Sequence, residues 1–216
     1  VIRYLILAVL LLVWGSTAAQ IPVEWMVGNK KSSIDLMFFR FVKDRDKQPS
    51  RVLFFSRARA TVDYKMTSTS NLPTFGLTEA ISYNPRNWKG FAPVAVVQVF
   101  NRGLFPKAGM QYAHTGKQLT VFSWLVVETM KDPDIDYFLL MRYTPALSPK
   151  LKLFTQLEAV NSFPTRAGAS FGFTQRMRLG LMQQQFQYGL AADLTQQGNR
   201  SFQASTNLGG FLRVEL

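Results

Sequence analysis

Ile135-Asp136-Tyr137-Phe138-Leu139-Leu140-Met141-Arg142-Tyr143 is the stretch whose reading decides the fold. Extended, it places Ile135, Tyr137, Leu139, Met141 and Tyr143 on one face. Asp136, Phe138, Leu140 and Arg142 fall on the other. Successive side chains of a strand point to opposite sides, so period-two segregation of this kind predicts β-structure. The pattern recurs on both sides of this segment. Leu151, Leu153, Leu157 and Ala159 oppose Lys152, Gln156 and Glu158; Phe171, Phe173, Met177, Leu179 and Leu181 oppose Thr174, Arg176 and Arg178. Phe186, Tyr188, Leu190, Ala192 and Leu194 oppose Gln187, Gly189 and Asp193. Towards the N-terminus, Val52, Phe54, Ala58, Ala60, Val62 and Tyr64 oppose Arg57, Arg59, Asp63 and Lys65.

Short breakers separate these runs, among them Asn84-Pro85, Asn101-Arg102-Gly103, Thr115-Gly116, Asp132-Pro133, Ser148-Pro149, Arg166-Ala167-Gly168 and Gly198-Asn199. Turns of this composition join adjacent antiparallel strands. No sustained helical periodicity interrupts them. Eleven strand starts are expected, near residues 33, 51, 72, 91, 107, 118, 134, 150, 169, 186 and 201, with Ile21–Val27 as a twelfth. The connections are expected to stay within about eight residues, which leaves little material for a lid.

The chain opens with Arg3, an apolar run from Tyr4 to Trp14, and the small residues Gly15 to Ala19. This order is that of a secretory signal peptide, 1–19, with Thr17 and Ala19 at −3 and −1 of a cleavage before Gln20. The eleven-residue run falls short of the roughly 20 residues that a helical span needs. Residues 20–216 are then expected to form one domain. Export combined with long apolar rows favours an all-β, antiparallel, up-and-down transmembrane β-barrel of about 12 strands, alternatively 10. In such a barrel the apolar faces meet lipid and closure satisfies every strand edge.

The last segment, Asn207 to Leu216, carries Leu208, Leu212, Val214 and Leu216 on one face up to the final residue. It resembles the terminal strand of Gram-negative outer-membrane β-barrel proteins, with Leu216 where Phe is usual. The resemblance implies residence in the outer membrane, contact with outer-membrane lipids, and recognition of Leu212, Val214 and Leu216 by the barrel-assembly machinery.

The outward assignment turns Arg57, Arg59, Lys65, Arg142, Lys152, Arg176, Arg178 and Arg213 inward, with Asp63, Asp136, Glu158, Asp193 and Glu215 as acidic partners. A basic constriction favours anions. The expected role is therefore a passive, porin-like channel for small, preferentially anionic solutes. An accessory barrel with a plugged lumen, bound to another envelope protein, is the alternative. The net charge of +12 comes from scattered residues, which argues against a nucleic-acid partner. With one histidine and no cysteine, neither a metal site nor a cofactor is expected. His114 admits a third reading, an outer-membrane lipid hydrolase, but no His-x-Ser spacing accompanies it, and hairpin register is expected to set it nearer Leu119 than Ser123. Trp25, Trp88, Tyr83, Tyr112, Tyr143 and Phe163 are expected at strand ends, as interfacial girdles.

Overall fold

The alternating segments become thirteen antiparallel strands in the computed structural model, which describes residues 21–44, 46–65, 73–101, 103–130 and 133–216. The segment read as a signal peptide, 1–19, lies outside the described residues. The strands are β1 (Pro22–Gly28), β2 (Lys31–Lys43), β3 (Pro49–Asp63), β4 (Thr74–Tyr83), β5 (Phe91–Phe100), β6 (Gly103–Thr115) and β7 (Leu119–Glu128). They continue with β8 (Ile135–Tyr143), β9 (Ala146–Ser148), β10 (Leu151–Phe163), β11 (Phe171–Gln183), β12 (Phe186–Gly198) and β13 (Phe202–Glu215).

The three-residue β9 pairs only with β10, as a short hairpin extension; the other twelve strands are the staves of a closed barrel. Each stave pairs with its neighbours in sequence, and β13 returns to β1 through Pro22↔Glu215 to Gly28↔Gly209. Twelve rather than ten staves form because both early segments, β1 and β2, are fully paired. The closing seam is tight. A Cβ on Gly209 would lie 1.9 Å from the Val27 carbonyl oxygen, so glycine is needed where β13 approaches β1. An even number of staves also brings both described chain ends to one end of the barrel, where Ile21 and Leu216 exchange backbone hydrogen bonds of 2.9 and 3.2 Å. We call this the terminus end and the opposite one the distal end.

The outer face is apolar without being covered. Leu190 is 71 % exposed, Leu208 56 %, Leu179 and Met177 55 %, and Leu125 53 %. Each sits in the middle of a strand rather than in a loop. Surface of this kind costs roughly 25 cal/mol per Å² in water and nothing in hydrocarbon, and contiguous patches of it mark a membrane or partner interface. Aromatic rings flank the band at both ends. Phe91 and Tyr112 pack at 5.0 Å near the terminus end, and Phe163, Phe171, Phe173 and Phe202 group near the distal end. Trp25 departs from the expectation of a strand-end position: it lies at the centre of β1 and donates to Ser32 Oγ at 3.0 Å.

Two expectations need correction. The connection between β3 and β4 takes residues 64–73, longer than the eight-residue limit, because alternation ends at Asp63 and resumes only at Thr74. The interior is also not uniformly polar. Among the inward residues of β2, β3, β5, β7 and β8, Met37, Leu53, Phe55, Val94, Val96, Phe122, Trp124, Val126, Phe138 and Leu140 form a buried apolar cluster inside the barrel. Several of these strands are thus apolar on both sides, as Val94 and Val96 inward with Val97 outward show on β5.

Candidate functional site

Inward-facing charges on β1, β2, β3, β8 and β10 to β13 meet inside the barrel. Arg57 extends from β3, and Glu158 from β10, six staves away in either direction around the barrel. Arg57 Nη1 donates to Glu158 Oε1 at 2.8 Å and Nη2 to Oε2 at 3.2 Å, so the pair crosses the lumen along a diameter. Arg57 also donates through Nε to Asp35 Oδ1 at 3.0 Å, and Arg176 on β11 contacts Glu158 from the neighbouring stave. Glu158 is only 1 % exposed. Ions at this depth carry a desolvation cost of several kcal/mol each, which only close pairing offsets.

The network continues towards both ends. Arg59 donates to Asp35 at 3.1 Å and to Asp193 at 3.0 Å. Arg178 joins Asp193 and Glu24, both at 2.8 Å. Arg213 joins Glu24 at 2.7 Å and Gln156 at 2.9 Å; Arg142 meets the same Gln156 oxygen at 3.0 and 3.1 Å. Six guanidiniums thus share four carboxylates and one amide in a continuous chain of charge-assisted hydrogen bonds. Arg142 and Arg213 lie over the Phe154 ring, 5.6 and 5.2 Å from its centroid, a favourable seat for cations lacking a full complement of anions.

The remaining residues singled out in the sequence are placed as follows. Asp136 contacts Lys107 inside the barrel. Asp63 lies at the distal rim, 3.9 Å from Lys31, both half-exposed. Lys152 shares the inward parity of Gln156 and Glu158, but it is exposed at the terminus rim and does not join the network. Leu212 faces outward at 43 % exposure, and Leu216 is 66 % exposed. His114 is exposed at the end of β6 and pairs with Val121; Ser123 pairs with Tyr112. Ser123 is therefore a diagonal neighbour of His114, closer than pairing with Leu119 implied. Glu24, Asp35 and Lys107 are buried lumen charges beyond those expected from the sequence. Parity marks the first two, since each sits opposite an outward apolar neighbour, Trp25 or Ile34.

The apolar half of the lumen is filled by rings. Phe55 on β3 stacks on Phe122 of β7 at 5.2 Å, Phe39 on Phe122 at 4.8 Å, and Trp124 contacts Phe55 and Phe138 at 4.9 Å each. These contacts also reach across the barrel, since β3 and β7 are four staves apart. Phe122 is fully buried at their centre. Phe122→Ala is expected to destabilise the barrel by about 3–5 kcal/mol, read as a lower denaturant midpoint in detergent or lipid. An unchanged midpoint would mean that the ring stack contributes little.

Between the network and the distal mouth the lumen widens. One cavity of 280 Å³ is lined by Phe55, Trp124, Phe138, Arg57, Arg59 and Arg176 among others. A second, of 170 Å³, shares Arg59, Thr61, Thr74 and Arg176 with it and adds the hydroxyls of Ser33, Thr174, Thr195 and Ser205. The lumen is therefore a distal vestibule ending on a crossbar of ion pairs and rings.

No family model and no curated protein matches this chain. Among solved structures it is similar to the KdgM porin, at 7 % identity and a TM-score of 0.49, with 92 % of this chain and 99 % of that one covered. It is similar also to the KdgM porin in complex with disordered oligogalacturonate, at 8 % identity and a TM-score of 0.47 over the same shares of the two chains. A mutant of Rh. blastica porin follows at 7 % identity and a TM-score of 0.25, covering 90 % of this chain and 98 % of that one. These are likenesses in the course of the chain, at a level that carries no functional argument.

Proposed function

We propose that this protein is a porin-like barrel of a Gram-negative outer membrane that passes small, preferentially anionic solutes through a lumen closed at rest. The observation that carries the reading is the Arg57–Glu158 pair spanning the barrel. A barrel needs no charge at its centre to be stable, because apolar residues of similar volume serve as well or better than a buried ion pair. Polar groups there suit a path that takes up water when the pair separates. The uncovered apolar exterior supports the membrane setting. Anion preference is supported by the surplus of guanidiniums, six to four carboxylates, along the network.

The test is planar-bilayer recording across a potassium chloride gradient. Brief openings from a mostly closed level, with a reversal potential on the chloride side, are expected. A cation-side reversal would overturn the anion preference. Silence from both the natural protein and a Glu158→Ala variant would overturn passage altogether, in favour of an accessory barrel with a permanently plugged lumen.

A further inference from the structure

The vestibule is lined by both rings and guanidiniums, and that combination specifies a ligand class. Phe55, Trp124 and Phe138 contribute ring edges and faces to the lining, with Trp124 and Phe138 tilted at 34° and 4.9 Å apart. Arg57 and Arg59, which follow Phe55 on the inward face of β3, and Arg176 on β11 line the same space, as does the Asp136 carboxylate. Arg57 and Arg59 are committed to carboxylates; Arg176 is held by Glu158 through Nη1, but its buried Nε has no hydrogen-bond acceptor, and Asp193 stands 3.9 Å from it. A buried guanidinium donor left without an acceptor is destabilising, and a planar guanidinium is suited to a carboxylate.

The cavity admits a single ring. An apolar cavity of about 150 Å³ holds benzene. The 280 Å³ here has room for one ring together with a carboxylate, and it adjoins a further 710 Å³ bounded in part by the same Gln98, Phe100, Asp136 and Val160. The adjoining hydroxyl-lined space of 170 Å³ suits the water or polar substituent that such an anion would keep.

We propose that the distal vestibule binds a small monocarboxylate carrying an aromatic ring, the ring against Trp124 and Phe138 and the carboxylate on Arg176. This deepens the channel reading, on which it rests for its meaning: the bound carboxylate competes with Glu158 for Arg176 and Arg57, so the permeant anion itself loosens the crossbar. An acid without an apolar face forgoes the rings; an uncharged aromatic forgoes the guanidinium.

The experiment reads binding separately from conduction. The full-length protein in detergent is titrated with phenylacetate, phenylacetamide and glucuronate while tryptophan fluorescence is followed. A saturable change with phenylacetate is expected, roughly tenfold or more weaker with either control, since a charge-assisted hydrogen bond contributes about 1.5–3 kcal/mol. The change should vanish in Trp124→Phe and weaken about as much in Arg176→Gln, with Arg176→Lys as a charge-keeping variant if the first does not fold. Equal affinity for phenylacetamide or glucuronate, or an unchanged signal in Trp124→Phe, would overturn the proposal. Binding without any conductance would retain the site and sink the channel reading. Conductance without binding would do the reverse.

Discussion

Glu158→Ala is expected to turn a mostly closed barrel into a conducting one and to destabilise it by about 3–5 kcal/mol. The carboxylate is 1 % exposed and accepts from Arg57 across the lumen and from Arg176 beside it. Its removal leaves guanidiniums in a low-dielectric interior with too few counter-ions. The variant has two ways to relieve that cost, unfolding or admitting water and anions, and the second is conduction. Paired measurements separate them: conductance in planar bilayers, and the temperature at which the compact band is lost on an unboiled gel. A double variant, Arg57→Met with Glu158→Met, should recover part of the stability, because replacing a buried pair by apolar residues of similar volume is often neutral or favourable, while Arg176 still lacks its Glu158 partner. It should also stay silent, since the two side chains still meet. Steady closure of Glu158→Ala with unchanged stability would show that the crossbar neither gates the lumen nor supports it.

Leu190→Arg is the second large effect. Leu190 is 71 % exposed on the outer face of β12, beside Leu179 on β11. In a water-soluble barrel this surface replacement would shift stability by about 0.5 kcal/mol or less. Facing hydrocarbon, an outward arginine costs about 2–4 kcal/mol at mid-membrane, and less near the interface. The measurement is the fraction that refolds into lipid vesicles across a urea series, beside Leu190→Ala as the apolar control. A midpoint unmoved by arginine would remove the membrane assignment, and the exposed rows would then mark a protein interface instead.

Both variants draw on a pattern legible in single strands. Period-two alternation placed Arg57, Arg59, Arg176, Arg178 and Asp193 opposite Ala58, Met177 and Ala192, because extended backbone leaves a side chain only two directions. The same parity, with breakers at each turn, sufficed for twelve staves, and twelve apolar-faced staves in series imply closure, since an open edge strands its backbone donors and acceptors in lipid. Alternation says which residues share a face but not how high each sits on the barrel or what stands across from it. That Arg57 meets Glu158, 101 positions away, depends on the stagger accumulated over six paired strands, and a slip at any one of them would part the two. The aromatic half of the lumen was hidden for a related reason. Where both faces of a strand are apolar, as on β5 and β7, composition cannot distinguish lipid from core, and only closure of the barrel decided that Val97 and Leu125 face outward while Val96, Phe122 and Trp124 pack within.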